Sequence, residues 1–286
     1  MTRPVQSTLV SSLTVLATIL VGAFVFRAAP QTPDGMGTAN GFLLDGPFAY
    51  SVEYLGVTCG HMTLESQLED YRGRPAYHVV MTARNSKFFN KIYRADGRIE
   101  SWVDPETMTT IAYESDITDK GERKFRRYDI DREKGVIRAE KHGEVTMIPY
   151  DGGPALDPLA FVYRGRTLAN KAGERFSLNL MTDKGVIRTE SLVGERKKFR
   201  TYDGKRELQR VQPMTEDGEM FSEKGEFVYW IDPGPARTLY RLDFKLGFGR
   251  LRAKLKGPAS ELADRRTEAE RGHPEPAQKL EIGNEE

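Results

Sequence analysis

At 286 residues the chain can bury a substantial core, in one large domain or in two intimate halves. Its 43 Lys and Arg balance 42 Asp and Glu, so no net field argues for nucleic acid or an anionic surface. The one cysteine, Cys59, excludes an internal disulfide framework, and with no cation beside it in sequence it reads as a buried, inert thiol.

Taken in order, the first feature is Thr8–Phe26, 19 residues without a charge, flanked by Arg3 and Arg27. As a helix at ~1.5 Å per residue it reaches roughly 28 Å, about the thickness of the hydrocarbon layer. Residues 1–27 are therefore a signal-anchor or, with Val21-Gly22-Ala23 as the processing site, a signal peptide. Either way the rest of the chain is exported. Residues 28–45, rich in Pro, Gly and small polar side chains, read as a linker.

From Pro47 onward the period is two. Phe48, Tyr50, Val52 and Tyr54 alternate with smaller or polar residues, Leu55-Gly56 breaks the run, and Met62-Leu64 restarts it: the founding hairpin of an antiparallel β-domain. Ala76–Ala83 continues the meander, Phe88-Phe89 and Ile92-Tyr93 add apolar weight, and Asp96-Gly97 reads as a turn before Arg98–Val103. Further strands are expected at Thr109–Tyr113, Arg175–Thr182, Gly185–Val193, Arg206–Pro213, Glu226–Ile231 and across Arg237–Lys256. Between them lies one convincing helix. Asp157 is its N-cap, Pro158 its first residue, Leu159, Val162 and Tyr163 share a face, and Gly165 ends it after about two turns. The fold class is thus mainly β, a curved antiparallel sheet or open barrel-like domain over residues 46–256 with one short helix. A polar tail, 257–286, lacks the apolar surface to offset its ordering entropy and reads as disordered, with a transient helix around Ser260–Arg271 as the alternative.

Two segments look alike: GERKFRRYD at Gly121–Asp129 with GERKKFRTYD at Gly194–Asp203, and KGVIRAE at Lys134–Glu140 with KGVIRTE at Lys184–Glu190. Their order is reversed between the halves, so they are recurring strand–turn–strand units and not a tandem duplication. The basic-aromatic pieces Arg123–Tyr128 and Arg196–Tyr202 are either positive faces for an anionic glycan, headgroup or phosphate, or solvated outer faces with Phe125 and Phe199 turned to the core.

The order of these features resembles the bacterial envelope family DUF3108. The resemblance is carried by Phe48-x-Tyr50-x-Val52-x-Tyr54-Leu55-Gly56-Val57-x-x-Gly60, by Asp157-Pro158-Leu159-Ala160-x-x-Tyr163-Arg164, by Val211-x-Pro213, and by Lys224-Gly225 leading to Trp230-Ile231-Asp232. Cys59 and Pro233-Gly234 depart from its usual pattern. The resemblance implies a secreted or membrane-tethered, mostly antiparallel β-protein of the bacterial envelope, its N-terminal helix in the inner membrane or cleaved and its domain in the periplasm, and no established reaction.

The residues themselves show no nucleophile elbow, phosphate loop or dinucleotide turn, and His61, His78, His142 and His273 lack metal-ligand spacing. No catalytic residue, cofactor or metal is expected, and the chain reads as a non-enzyme that binds an envelope lipid, glycan or protein on or inside its sheet. The alternatives are an assembly factor acting through protein partners, and a hydrolase with an unrecognised site. The candidate ligand-lining residues are Tyr50, Tyr54, Tyr163, Arg164 and Trp230; an Arg164 pointing into a cavity would need a paired or anionic partner.

Overall fold

The computed structural model describes residues 44–92, 94–182, 185–214, 226–246 and 249–262. The apolar segment Thr8–Phe26, residues 28–43, Lys224-Gly225 and residues 263–286 lie outside them. Among the described residues no helix is long and apolar enough to cross a membrane.

Fourteen strands form one antiparallel sheet: β1 (Phe48–Tyr54), β2 (Val57–Asp70), β3 (Pro75–Asn85), β4 (Ala95–Val103), β5 (Thr110–Asp119), β6 (Glu122–Asp131), β7 (Val136–Lys141), β8 (Glu144–Pro149), β9 (Arg175–Thr182), β10 (Gly185–Thr201), β11 (Gly204–Met214), β12 (Glu226–Ile231), β13 (Leu239–Leu246) and β14 (Gly249–Pro258). Their spatial order is β8-β7-β6-β5-β4-β3-β2-β1-β14-β13-β12-β11-β10-β9. Two meandering arms therefore meet where β1 pairs with β14, and the sheet has two edges, β8 and β9, so it is not closed.

The curvature can be read from one set of contacts. β5 and β9 lie ten strand spacings apart, ~48 Å in a flat sheet at ~4.8 Å per spacing. Yet Thr110 N, at the start of β5, donates to Ala155 O, and the next residue, Leu156, bridges Leu180 of β9. The arms must curl toward each other for adjacent residues of one segment to touch both. The alternation behind this is the expected one: Tyr50, Val52, Met62, Leu64, Val79, Met81, Ile99, Tyr113 and Tyr128 face one shared core with Val211, Tyr229, Leu242 and Leu255 from the other arm.

Helix content departs from the single helix expected. A short α1 (Lys87–Ile92) holds Phe88-Phe89, with Ser86 Oγ accepting from Phe89 N at 3.4 Å as its cap. A helical turn also covers 259–262. The Asp157 helix, α2 (Pro158–Leu168), runs through Gly165 for another three residues. Gly165 serves close approach and not termination: a Cβ there would lie 2.2 Å from Tyr229 Oη. Asp96-Gly97 is no turn either. Both lie within β4, where the missing Cβ of Gly97 makes room for Ile117 of β5. Strand pairing also continues past residue 256, with Gly257 and Pro258 of β14 opposite Ala49 and Phe48.

The look-alike segments occupy different places. In the first arm they are the adjacent strands β6 and β7, whereas in the second both lie on β10, whose register shifts between Val193 and Arg196. The expected strand–turn–strand unit therefore holds only in the first arm. Phe125 is also turned opposite to expectation. Its neighbours Lys124 and Tyr128 pair with the buried Ile117 and Tyr113, so Phe125 lies on the outer face beneath Arg123. Phe199 does pack against the buried cluster, but on the outer face of the sheet, edge-on to Trp230.

Candidate functional site

Inside the curled sheet the ionisable groups are knotted together by α2. Arg166, one turn after Tyr163 on the same helix face, is 0% exposed. Its Nη1 and Nη2 donate to Asp45 Oδ2 (2.5 Å) and Oδ1 (3.1 Å), and its Nε donates to Arg237 O (2.8 Å). Its guanidinium also lies 4.8 Å from the Tyr163 ring centre. Burial works against the cation, but the Asp45 carboxylate outweighs it and holds the Arg166 pKa above its ordinary value. Asp45 is fixed in turn by β2: its N–H donates to Ser66 Oγ (2.7 Å), and Ser66 N donates to Asp45 O (2.9 Å). Tyr50 Oη donates to Leu239 O (2.8 Å), and burial raises the pKa of Tyr50, Tyr163 and Tyr229.

The helix start is tied down just as firmly. Asp157 is fully buried, and its Oδ1 accepts from Leu159 N (2.8 Å) and Ala160 N (3.1 Å). Its Oδ2 accepts from Ser101 Oγ (2.5 Å) and Thr110 Oγ1 (2.7 Å). Burial pushes this carboxyl up, against the pull of those four donors. It is the N-cap expected from sequence, bolted in addition to β4 and β5.

Of the five sequence candidates, the structure brings together Tyr50 and Tyr163, both 1% exposed, around Arg166. The other three lie elsewhere. Tyr54 is half-buried at the far end of β1, beside Gly249. Arg164 is half-buried, and its Nη1 donates to Thr167 Oγ1 (3.3 Å). Trp230 is on the outer face, paired with Arg241 across the ladder, its Nε1 donating to Asp243 Oδ2 (3.1 Å). Asp45 and Arg166 are the residues that sequence reasoning misses, because Gly165 reads locally as a helix end and leaves Arg166 outside it. The i, i+3 spacing to Tyr163 was the available signal. Cys59 is buried as expected, with burial pushing its thiol up to about 11.

The outer face is built differently on the two arms. On β2–β6, His78 stacks on Trp102 (4.7 Å, 7°), which also meets Tyr71 at 4.8 Å. His78 Nε2 is 3.0 Å from Glu100 Oε1, and Nδ1 is 3.0 Å from Glu69 Oε2 without the alignment of a hydrogen bond. Burial alone would lower the His78 pKa, but the flanking carboxylates raise it. Bonding to His78 and to Arg98 holds Glu100 down, to about 2. The basic run of β6 is neutralised: Arg123 pairs with Asp116, Lys124 with Asp119, and Arg127 with Glu114 and Asp129. A cleft of about 300 Å3 opens beside it, lined by Thr82, Arg84, Asp96, Arg98, Asp116 and Arg123. Exposed Arg84 has no ion pair among the described residues.

On the other arm the long hairpin β10–β11 folds back over the sheet. Phe199 packs edge-on against Trp230 (4.7 Å) under Arg241, and Tyr202 at the tip stacks with Tyr240, whose Oη donates to Asp203 Oδ2 (2.9 Å). Here the basic run is not neutralised: Lys197, Lys198, Arg200 and Lys205 are exposed and have no acid in ion-pair reach among the described residues. The balance of the whole chain hides this contrast. Described residues 185–262 carry 15 Lys and Arg against 8 Asp and Glu, whereas described residues 44–182 carry 20 against 21.

An open, linear antiparallel sheet curled about an internal helix and a saturated ion pair defines the class: a barrel-like all-β domain without full closure. The sequence model for the protein of unknown function DUF3108 matches residues 49–256, and the chain belongs to that family. Among solved structures, the β-barrel-like protein of DUF1849 from Brucella abortus shares the fold at 14% identity and a TM-score of 0.52, over 74% of this chain and 96% of that one. A DUF1089 family protein from Pseudomonas aeruginosa aligns over 72% of this chain and 95% of its own at 11% identity, with a TM-score of 0.35. No curated protein matches the sequence.

Proposed function

We propose that the protein is an exported β-domain, held at the inner membrane by Thr8–Phe26, that binds an envelope component on its outer surface without catalysing a reaction. The apolar N-terminal segment supports the location. The observation that carries the binding mode is the interior knot: Arg166, Asp45 and Asp157 spend their hydrogen-bonding capacity on the fold itself. The polar cleft beside β6, with Arg84 uncommitted, is the better receptor for a charged or hydroxyl-rich glycan or headgroup. A protein partner is a second reading, favoured by the free edge β8, where Val145 and Met147 are 50% and 58% exposed on one face.

Purification of the full chain from its native envelope, followed by mass spectrometry of what accompanies it, tests the proposal. The expected result is a polar lipid or glycan retained by the wild type and depleted at least fivefold in Arg84→Ala. Retention of nothing beyond what an unrelated tethered protein carries would count against a ligand. Retention unchanged in Arg84→Ala would move the ligand out of this cleft.

A further inference from the structure

We infer that the tip of the β10–β11 hairpin is a docking surface for the anionic phospholipid bilayer to which the protein is tethered; the inference rests on the tethered reading proposed above. Three independent observations converge on it. The first is charge. Lys197, Lys198, Arg200 and Lys205 are exposed and unpaired among the described residues, whereas in the similar run on β6 Arg123, Lys124 and Arg127 are paired to Asp116, Asp119, Glu114 and Asp129. Free cations on a rigid hairpin are attracted to anionic headgroups within a Debye length, and paired ones are not.

The second is the aromatic tip. Tyr202 is 41% exposed, and its ring is anchored by Tyr240 and by Gly257, where a Cβ would meet Tyr202 at 3.1 Å. A half-exposed tyrosine amid cations has the amphipathic character suited to a membrane interface. The third is position. Gly257 and Pro258, against which the tip lies, pair with Ala49 and Phe48, and Pro47 O accepts from Ala259 N at 2.7 Å. The hairpin tip therefore stands at the end of the sheet where the chain arrives from its N-terminal segment. A tether of some 16 residues, 28–43, would keep this end closest to the bilayer. The β1–β2 turn, with exposed Leu55 and Val57, lies at the opposite end of β1.

The test uses the full chain with an environment-sensitive fluorophore attached through Glu207→Cys, an exposed site opposite Lys198. Buried Cys59 leaves the label site-specific. The protein is reconstituted into vesicles of phosphatidylcholine alone and of phosphatidylcholine with 30 mol% phosphatidylglycerol, chosen as probes. Flotation with both kinds reads the tether, and the fluorophore reads the hairpin. Expected is at least a twofold rise in emission, with a blue shift, in the anionic vesicles only. It should disappear in ~0.5 M salt, where the Debye length falls to a few ångström, and when Lys197, Lys198, Arg200 and Lys205 are all changed to Gln, with folding checked by near-UV circular dichroism. Arg123→Gln with Lys124→Gln should leave it unchanged. Equal emission in both vesicles, with flotation intact, would overturn the docking surface while sparing the tether. Absence of flotation from neutral vesicles would instead overturn the tether. A salt-sensitive signal in neutral vesicles that vanishes on removal of residues 263–286 would assign the hairpin to the chain's own acidic tail and overturn the proposal.

Discussion

Arg166 and Asp45 pose a problem that hydrophobic burial alone does not: two full charges in the core, 121 residues apart in sequence, each tolerable only because of the other. Removing one leaves an uncompensated buried charge. Asp45→Ala is expected to cost about 3–5 kcal/mol in urea unfolding, and Asp45→Ala combined with Arg166→Met to regain most of it. A double variant no more stable than Asp45→Ala would mean that the pair is not energetically coupled. His78 supplies a prediction with a pH sign. Its folded pKa is raised, so its contribution is complete below the ordinary histidine value near ~6.5 and lost as pH rises through the folded value. Glu69 and Glu100 are lowered, so theirs is present above ~4.5 and lost as pH falls. The Glu69–His78–Glu100 bridge is therefore strongest between about pH 4.5 and 6.5. His78→Gln should destabilise by about 1–2 kcal/mol at pH 6 and by less at pH 8, read from urea midpoints at the two values. An equal loss at both would assign the effect to stacking on Trp102.

Helix α2 is the element that makes an open sheet workable. The chain crosses from edge β8 to edge β9 through it, and Asp157 and Arg166 tie its two ends to β4, β5 and the segment before β1. Its start was legible from Asp157-Pro158, because capping is local chemistry. Its end was not, since the role of Gly165 is set by Tyr229, far away in sequence. In an ordinary helix Gly→Ala gains up to ~1 kcal/mol; here the added methyl collides with Tyr229 Oη. Gly165→Ala should instead lose about 1–3 kcal/mol. Tyr229→Phe removes a hydroxyl with no hydrogen-bond partner among the described residues and should restore much of that loss. Additive losses in the thermal midpoint of the double variant would refute the contact. The same limit explains Asp96-Gly97: the dipeptide favours a turn locally, and only the approach of Ile117 reveals why a strand needs glycine there.

For the whole molecule, period-two alternation made the meander legible almost strand by strand, with Arg175–Thr182 and Glu226–Ile231 at their observed bounds. Strand order and curvature depend on pairings such as β1 with β14, about 200 residues apart, that no local pattern encodes. The uneven charge was hidden for another reason: acids outside the described residues offset the basic arm in any whole-chain count. In the proposed arrangement, the cationic hairpin, the arriving N-terminal segment and the end of β14 together give the molecule one end toward a membrane and leave a flank open to ligand. The most direct measurement is labelling of the Glu207→Cys protein with a membrane-impermeant maleimide in intact cells whose outer membrane has been permeabilised. Labelling without lysis is the result that the proposed exported, tethered domain predicts. Labelling only after the inner membrane is broken would place the hairpin in the cytosol and contradict the tethered, exported domain on which the proposed function rests.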